Sequence, residues 1–277
     1  MFAINTRLIM RLSLFCLLLC GSVLQARASS ISRVTATSPV WNFTYINDAY
    51  YNGHPERILI VTQNFSGFGV YNNHHIGVWY DSAAGKWAIF NQDRLAMPVN
   101  ASFNVLGADP SGNVFTHIAG SGSISGHVTY INNPATNGHP EAKVFVTARY
   151  NPNNVYNDHA TGIWYDAGRS QWAIFNQDFA PMPNGAAFDV IAMPPGAPWI
   201  YTHIASAANS AGDYTLLTAV ASDTFVFITP NYNPYGVYSN HESGVWYTGS
   251  VWSIFNEDFY SVPNLAAFNV WVMPTPG

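Results

Sequence analysis

One stretch of this chain occurs three times, and it narrows the possible folds sharply. It reads Gly77-Val78-Trp79-Tyr80, a polar turn, then Lys86-Trp87-Ala88-Ile89-Phe90-Asn91-Gln92-Asp93. The second copy is Gly162-Ile163-Trp164-Tyr165, a turn, then Gln171-Trp172-Ala173-Ile174-Phe175-Asn176-Gln177-Asp178. The third is Gly244-Val245-Trp246-Tyr247, a shorter turn, then Val251-Trp252-Ser253-Ile254-Phe255-Asn256-Glu257-Asp258. Short apolar and aromatic runs bounded by Gly, Asn, Asp or Pro are strands, and two of them around a polar turn make a β-hairpin.

The two tryptophans of a hairpin stand eight residues apart in the first two copies and six apart in the third. Losing one residue from each side of the turn keeps a cross-strand pair, whereas losing one in total flips a side chain or forces a bulge. The spacing predicts Trp79 opposite Trp87. Trp79, Trp87 and Ile89 then share one face, and Val78, Tyr80, Lys86, Ala88 and Phe90 the other. Both faces are largely apolar, so the hairpin is expected to be covered on two sides with its tryptophans in the core.

Other landmarks keep the same order. Thr116-His117-Ile118-Ala119 returns as Thr202-His203-Ile204-Ala205, and Val34-Thr35-Ala36 is a degenerate first copy. Each unit closes on a proline, after Met97, Met182 or Val262, and then on Phe103-Asn104-Val105, Phe188-Asp189-Val190 or Phe268-Asn269-Val270. The units run over 30–113, 114–199 and 200–277. The expected fold is all-β: three tandem antiparallel β-sandwich or barrel-like repeats packed together, with five or six strands each and almost no helix. The connections near Asp109-Pro110 and Pro194-Pro195 are short, so the repeats are expected to pack on one another.

Residues 1–28 have the form of a signal peptide: Arg7 and Arg11, an apolar run over Leu12–Leu19, then Ala26-Arg27-Ala28. The run is too short for a membrane span. Export to the periplasm, the cell surface or the medium follows as an expectation. Both cysteines, Cys16 and Cys20, lie in this segment, so the mature chain is held by packing without disulfides. Leu19 is too large for a lipoprotein box, which leaves lipidation at Cys20 as the alternative.

After cleavage seven basic residues face fifteen acidic ones, a net charge near −8 with no basic cluster. That argues against nucleic acid and against anionic membrane surfaces as partners. Charged residues are only 9% of the chain and aromatics 15%, so its polar surface is built from Asn, Ser, Thr, Gly and Gln.

Polar clusters flank each hairpin. Asn73-His74, Asp158-His159 and Asn240-His241 precede it, and Asn91-Gln92-Asp93, Asn176-Gln177-Asp178 and Asn256-Glu257-Asp258 follow it. Strand pairing brings each pair of clusters to the end opposite the turn, beside Tyr71, Tyr156 or Tyr238. As ligand sites they offer planar donors and acceptors next to a ring that stacks on a sugar. As structural elements they cap turns through backbone amides. Recurrence separates neither reading, because both repeat with the fold.

Metal and catalytic sites find less support. His54, His74 and His117 have counterparts in His139, His159 and His203, but their spacing matches no compact zinc motif. Asp93, Asp178 and Asp258 recur once per unit, whereas an enzyme has one specialised centre; three similar sites favour multivalent binding. The reading therefore takes no catalytic residue, no cofactor and no metal.

The string Gly-Val-Trp-Tyr-Asp, Trp-Ala-Ile-Phe-Asn-Gln-Asp, Met-Pro and Ala-Phe-Asn-Val resembles a tandem repeat of secreted bacterial proteins, a domain of unknown function. The third unit departs from it at Thr248 and Glu257. The resemblance implies bacterial export and assigns no catalytic residue. The expected function is non-catalytic recognition of glycans or a cell-surface polymer. A structural or adhesive surface repeat is the alternative, and a secreted hydrolase comes third.

Overall fold

The computed structural model describes residues 29–197, 199–218 and 221–274. The signal-peptide segment and Cys20 lie outside the described residues. Among those described there is no helix, and none is therefore long and apolar enough to cross a membrane. The first repeat forms β1 (Ser29–Thr35), β2 (Phe43–Tyr45), β3 (Ile58–Asn64), β4 (Ile76–Asp81), β5 (Lys86–Asn91) and β6 (Ser102–Ala108). The second forms β7 (Val114–Ile118), β8 (Ile124–Ser125), β9 (Val128–Tyr130), β10 (Lys143–Arg149), β11 (Thr161–Asp166), β12 (Gln171–Asn176) and β13 (Ala187–Met193). The third forms β14 (Ile200–Ile204), β15 (Ser210–Ala211), β16 (Tyr214–Leu216), β17 (Thr224–Asn231), β18 (Ser243–Tyr247), β19 (Trp252–Asn256) and β20 (Ala267–Pro274). The expectation of an all-β chain of three packed repeats is met.

The sheets do not follow the repeats, and they are open and mixed where antiparallel ones were expected. They run β2-β5-β4-β10-β13-β7, β8-β9-β12-β11-β17-β20-β14 and β15-β16-β19-β18-β3-β6-β1. In each, the hairpin of one repeat continues into three strands of another through a single parallel junction: β4 with β10, β11 with β17, and β18 with β3. Repeat 1 thus joins repeat 2, repeat 2 joins repeat 3, and repeat 3 returns to repeat 1. The chain closes on itself as a ring with pseudo-threefold symmetry.

Each repeat keeps its own core, drawn from residues 36–105, 119–192 and 205–272. A further apolar core, including Ile60, Phe145 and Phe227 at equivalent positions, is shared by all three. Three threonines link the inner strands. Thr147 Oγ1 accepts the Val61 N–H at 2.9 Å, Thr229 Oγ1 that of Val146 at 3.2 Å, and Thr62 Oγ1 that of Ile228 at 3.1 Å. These amides lie on strand edges that have no ladder partner there, and a buried amide left unpaired costs about 1–3 kcal/mol.

The hairpin register differs by one residue from the expected one. Trp87 faces Tyr80, Trp172 faces Tyr165 and Trp252 faces Tyr247. Trp79 faces Ala88 instead. The Tyr–Trp pairing is kept in every repeat, and the shorter third hairpin takes its two missing residues from the loop: Thr248 N–H donates to the Val251 carbonyl at 2.9 Å where Asp81 pairs with Lys86, leaving a loop of two residues in place of four. The two tryptophans therefore point to opposite faces. Trp87, Trp172 and Trp252 are buried, each donating its indole N–H to a carbonyl, of His54, His139 or Ala221. Trp79, Trp164 and Trp246 are half-buried on the other face, Trp79 against Phe43, Trp164 against Tyr130, and Trp246 against Tyr214 and Phe65 of the next repeat.

On that second face a ring lies across the glycine that opens each hairpin. A Cβ on Gly77 would sit 2.8 Å from Phe90 Cζ, and one on Gly162 2.7 Å from Phe175 Cζ. Gly77→Ala is expected to lose about 1–3 kcal/mol by overpacking this contact. Urea denaturation reads it, and a variant as stable as the parent would show that the ring yields freely.

Candidate ligand-binding seams

The three polar clusters fold into the same turn. Asn91, Asn176 and Asn256 are fully buried, and each donates from Nδ2 to a backbone carbonyl four residues on, of Leu95, Ala180 or Tyr260. Asp93, Asp178 and Asp258 accept the N–H of those same residues through Oδ1. Their Oδ2 atoms meet Nδ1 of His74, His159 and His241 at 2.6, 2.7 and 2.6 Å. Asn73, Asp158 and Asn240 are exposed just ahead of these histidines.

The middle residue reaches across to the next repeat. Gln92 Oε1 accepts the Asn157 N–H at 2.9 Å, Gln177 Oε1 that of Ser239 at 2.7 Å, and Glu257 Oε2 that of Asn72 at 3.0 Å. Burial pushes the Glu257 carboxyl up to about 8; the Asn72 N–H opposes this, and the charges of Glu242 and Asp258 add to it. Glu257 is thus a neutral acid at pH 7, in the role that glutamine fills at the other two seams. Nearby, Glu242 bridges the repeats from the third side, 3.0 Å from His75 Nδ1 and bonded to Gln63 Nε2. Gln92, His159 and His241 also line a polar cavity of about 70 Å³ at this end of the ring, with His75 and Glu242.

The structure thus brings each predicted set together. It spends the amides on backbone and leaves the His–Asp pairs partly open to solvent. The candidate metal-ligating histidines lie apart: His54 pairs with Glu56, His74 with Asp93, and His117 with Thr129. Among the described residues no group of three His, Cys, Asp or Glu is placed to hold a metal ion.

The residue after each aspartate is what the turn presents. Arg94, Phe179 and Phe259 have φ of 63°, 65° and 65°, a left-handed conformation that costs a residue with a Cβ roughly 1–2 kcal/mol. Strain at a recurring position points to function. Each of these side chains lies on a tyrosine of the next repeat. Phe259 is 4.5 Å from the Tyr71 ring, Phe179 is 4.7 Å from Tyr238, and the Arg94 guanidinium is 5.6 Å above Tyr156. Phe65, Tyr150 or Tyr232 backs that tyrosine at 4.5–4.8 Å. Phe255, Phe90 or Phe175 meets it edge-on at 5.7–5.8 Å. Every seam therefore carries an aromatic shelf, partly exposed: Tyr71 and Tyr156 are each 37% accessible and Phe259 62%. Arg94, Phe179 and Phe259 escaped the sequence reading. The signal was an aromatic residue following Asn-Gln-Asp or Asn-Glu-Asp twice, inside a turn that is otherwise polar.

The sequence profile of one family matches residues 22–106, 77–192 and 162–272. The chain belongs to that family, a domain of unknown function (DUF7452). The DUF7452 matches end within or at the last strand of each repeat, and the second and third begin in the hairpin of the repeat before. That overlap follows the physical unit, since each hairpin is hydrogen-bonded into the sheet of its successor. No curated protein and no solved structure matches the chain.

Proposed function

We propose that this protein is an exported, non-catalytic binding protein that recognises glycans or another cell-surface polymer at equivalent sites on its seams. The observation that carries this reading is the aromatic shelf repeated three times beside a partly exposed His–Asp pair. A sugar ring has an apolar face that stacks on an aromatic ring and hydroxyls that pair with carboxylate and imidazole. Three sites on one rigid ring favour a repetitive ligand, because linked sites multiply weak affinities. The cleft at the seam between repeats 3 and 1 is lined by one carboxylate, Asp213, where glycoside cleavage ordinarily uses two.

A glycan array probed with the parent chain and with the Tyr71→Ala, Tyr156→Ala, Tyr238→Ala triple variant tests the proposal. The parent is expected to bind repetitive polysaccharides. The triple variant is expected to lose that binding, and each single variant to lose about tenfold through reduced avidity. Unchanged binding by the triple variant, or no binding by the parent, would overturn it. The alternative, a structural or adhesive surface repeat, draws on the burial of Asn91, Gln92 and their counterparts against backbone. It is favoured if the array is blank while Asn91→Ala lowers the melting temperature.

A further inference from the structure

The seam that closes the ring differs in chemistry from the other two. Its cleft has a volume of about 250 Å³ and is lined by Phe65, Tyr71, Asp213, Tyr214, Trp246 and Phe255. The rings stand as walls. Phe65 and Trp246 are perpendicular at 6.3 Å, and so are Tyr214 and Trp246 at 5.9 Å; Tyr71 meets Phe255 edge-on at 5.8 Å. Asp213 occupies the two-residue turn between β15 and β16. The positions equivalent to Asp213 hold Asn42 in repeat 1 and His127 in repeat 2, so neither of the other seams has a carboxylate there. Burial raises the Tyr71 phenol, and the negative charge of Asp213 raises it further, as does that of Glu257 once it ionises above about 8, which places the Asp213 charge within reach of that ring.

We propose that this cleft binds a quaternary ammonium group. The faces of Trp, Tyr and Phe rings attract a cation through their quadrupoles, most strongly once it is desolvated. Asp213 supplies the countercharge. Besides Asp213 the polar side-chain groups of the lining are the Tyr71 and Tyr214 phenols and the Trp246 indole N–H, and the rest is aromatic carbon. A trimethylammonium group has no N–H to satisfy and presents apolar methyls to the rings, which fits this lining. The cleft is smaller than a drug-sized pocket, of about 300–1,000 Å³, and suits a headgroup. The inference goes beyond the glycan reading and uses the closing seam alone.

Saturation-transfer NMR with tetramethylammonium chloride on the full chain tests it, followed by titration. Choline and phosphocholine, run alongside, separate a free alcohol from a phosphorylated headgroup as the source. Saturable binding is expected, with 3,3-dimethylbutanol, a neutral isostere of choline, at least about tenfold weaker. Asp213→Asn is expected to weaken tetramethylammonium binding by about tenfold at an unchanged melting temperature, since asparagine suits the same tight turn. Tyr214→Ala, on the short strand β16 next to the sheet edge, gives a second reading of the same loss. Equal binding of the neutral isostere, an unaffected Asp213→Asn variant, or no saturable signal would overturn the proposal. None of these probes carries a sugar, so failure here and failure of the glycan array are distinguishable.

Discussion

Arg149→Asn is expected to destabilise the protein by about 3–5 kcal/mol, and adding Asp189→Asn to it is expected to restore most of the loss. The reason lies in a substitution the chain has already made. In repeat 1, Asn64 Nδ2 donates to Asn104 Oδ1 at 2.9 Å, and in repeat 3, Asn231 Nδ2 donates to Asn269 Oδ1 at 3.1 Å. In repeat 2 the same two positions hold Arg149 and Asp189, paired at 3.0 Å. Asp189 is completely buried and also accepts the Leu59 N–H and the Thr116 hydroxyl. Arg149 lies over the Trp87 ring and donates to the carbonyls of Pro55 and Arg57. Removing the guanidinium alone leaves a buried carboxylate without its countercharge, which costs about 3–5 kcal/mol. Removing the carboxylate alone leaves Arg149 its carbonyls and its ring, so Asp189→Asn is expected to cost less, about 1–3 kcal/mol. The double variant recreates the amide pair of the other repeats. A double-mutant cycle in urea should give a coupling of about 2 kcal/mol or more. Additive losses would show that the pair is not an exchangeable unit.

Glu257→Gln is expected to leave stability nearly unchanged at pH 5 and to raise it at pH 8.5 by roughly 3–5 kcal/mol. In the folded chain Glu257 holds its proton up to about 8, against an ordinary value of 4.5. The folded state therefore binds the proton more tightly. The stability that this confers is complete below 4.5 and is lost as pH rises through 8. Glutamine already accepts the corresponding N–H at positions 92 and 177, so the substitution removes the titration and keeps the strut.

His117 and His203 act in the opposite sense. Burial holds both down to about 4, each bonded to a threonine hydroxyl at 2.8 Å. The unfolded chain protonates them below about 6.5 while the folded chain does not, so their contribution is complete above that value and falls away toward 4. Between 4.5 and 6.5 the rise from these histidines opposes the fall from Glu257 and from Asp189, whose carboxyl burial also raises; above 6.5 the fall from Glu257 is no longer opposed by them. His75, raised by its bond to Glu242 and by nearby negative charge despite the opposing and largest effect of burial, adds to the decline above 6.5. Stability is expected to fall as pH rises above 6.5, read by urea midpoints from pH 6 to 9. In the Glu257→Gln variant the upper side of the curve should flatten. Equal midpoints for parent and variant at pH 8.5 would contradict the assignment.

These features share a location. Glu257, Glu242 with His75, and Asp213 all lie at the seam where repeat 3 returns to repeat 1. That seam joins segments up to 185 residues apart, as in the bond from Asn72 to Glu257. It is the contact that converts a linear array into a ring, whereas the Arg149–Asp189 pair and Arg94 are departures from the repeat at the seam between repeats 1 and 2.

Strand identity, the three repeats and the joining of each polar cluster to its histidine loop were legible in the residues. Each follows from local rules: runs of strand length, turn residues, and hairpin pairing that brings sequence neighbours together. Three things were decided only by the tertiary structure. The hairpin register depended on turn hydrogen bonds that leave no trace in apolar spacing, and it moved Trp79, Trp164 and Trp246 from the core face to the opposite, half-buried face. The exchange of hairpins between repeats depended on parallel junctions such as Gly244 with Gln63, which no periodicity encodes because both strands are apolar on either face. The aromatic shelves followed from those two together. Arg94, Phe179 and Phe259 acquire their tyrosine partners only when another repeat is set beside them, so the surface on which the function is proposed belongs to no single repeat.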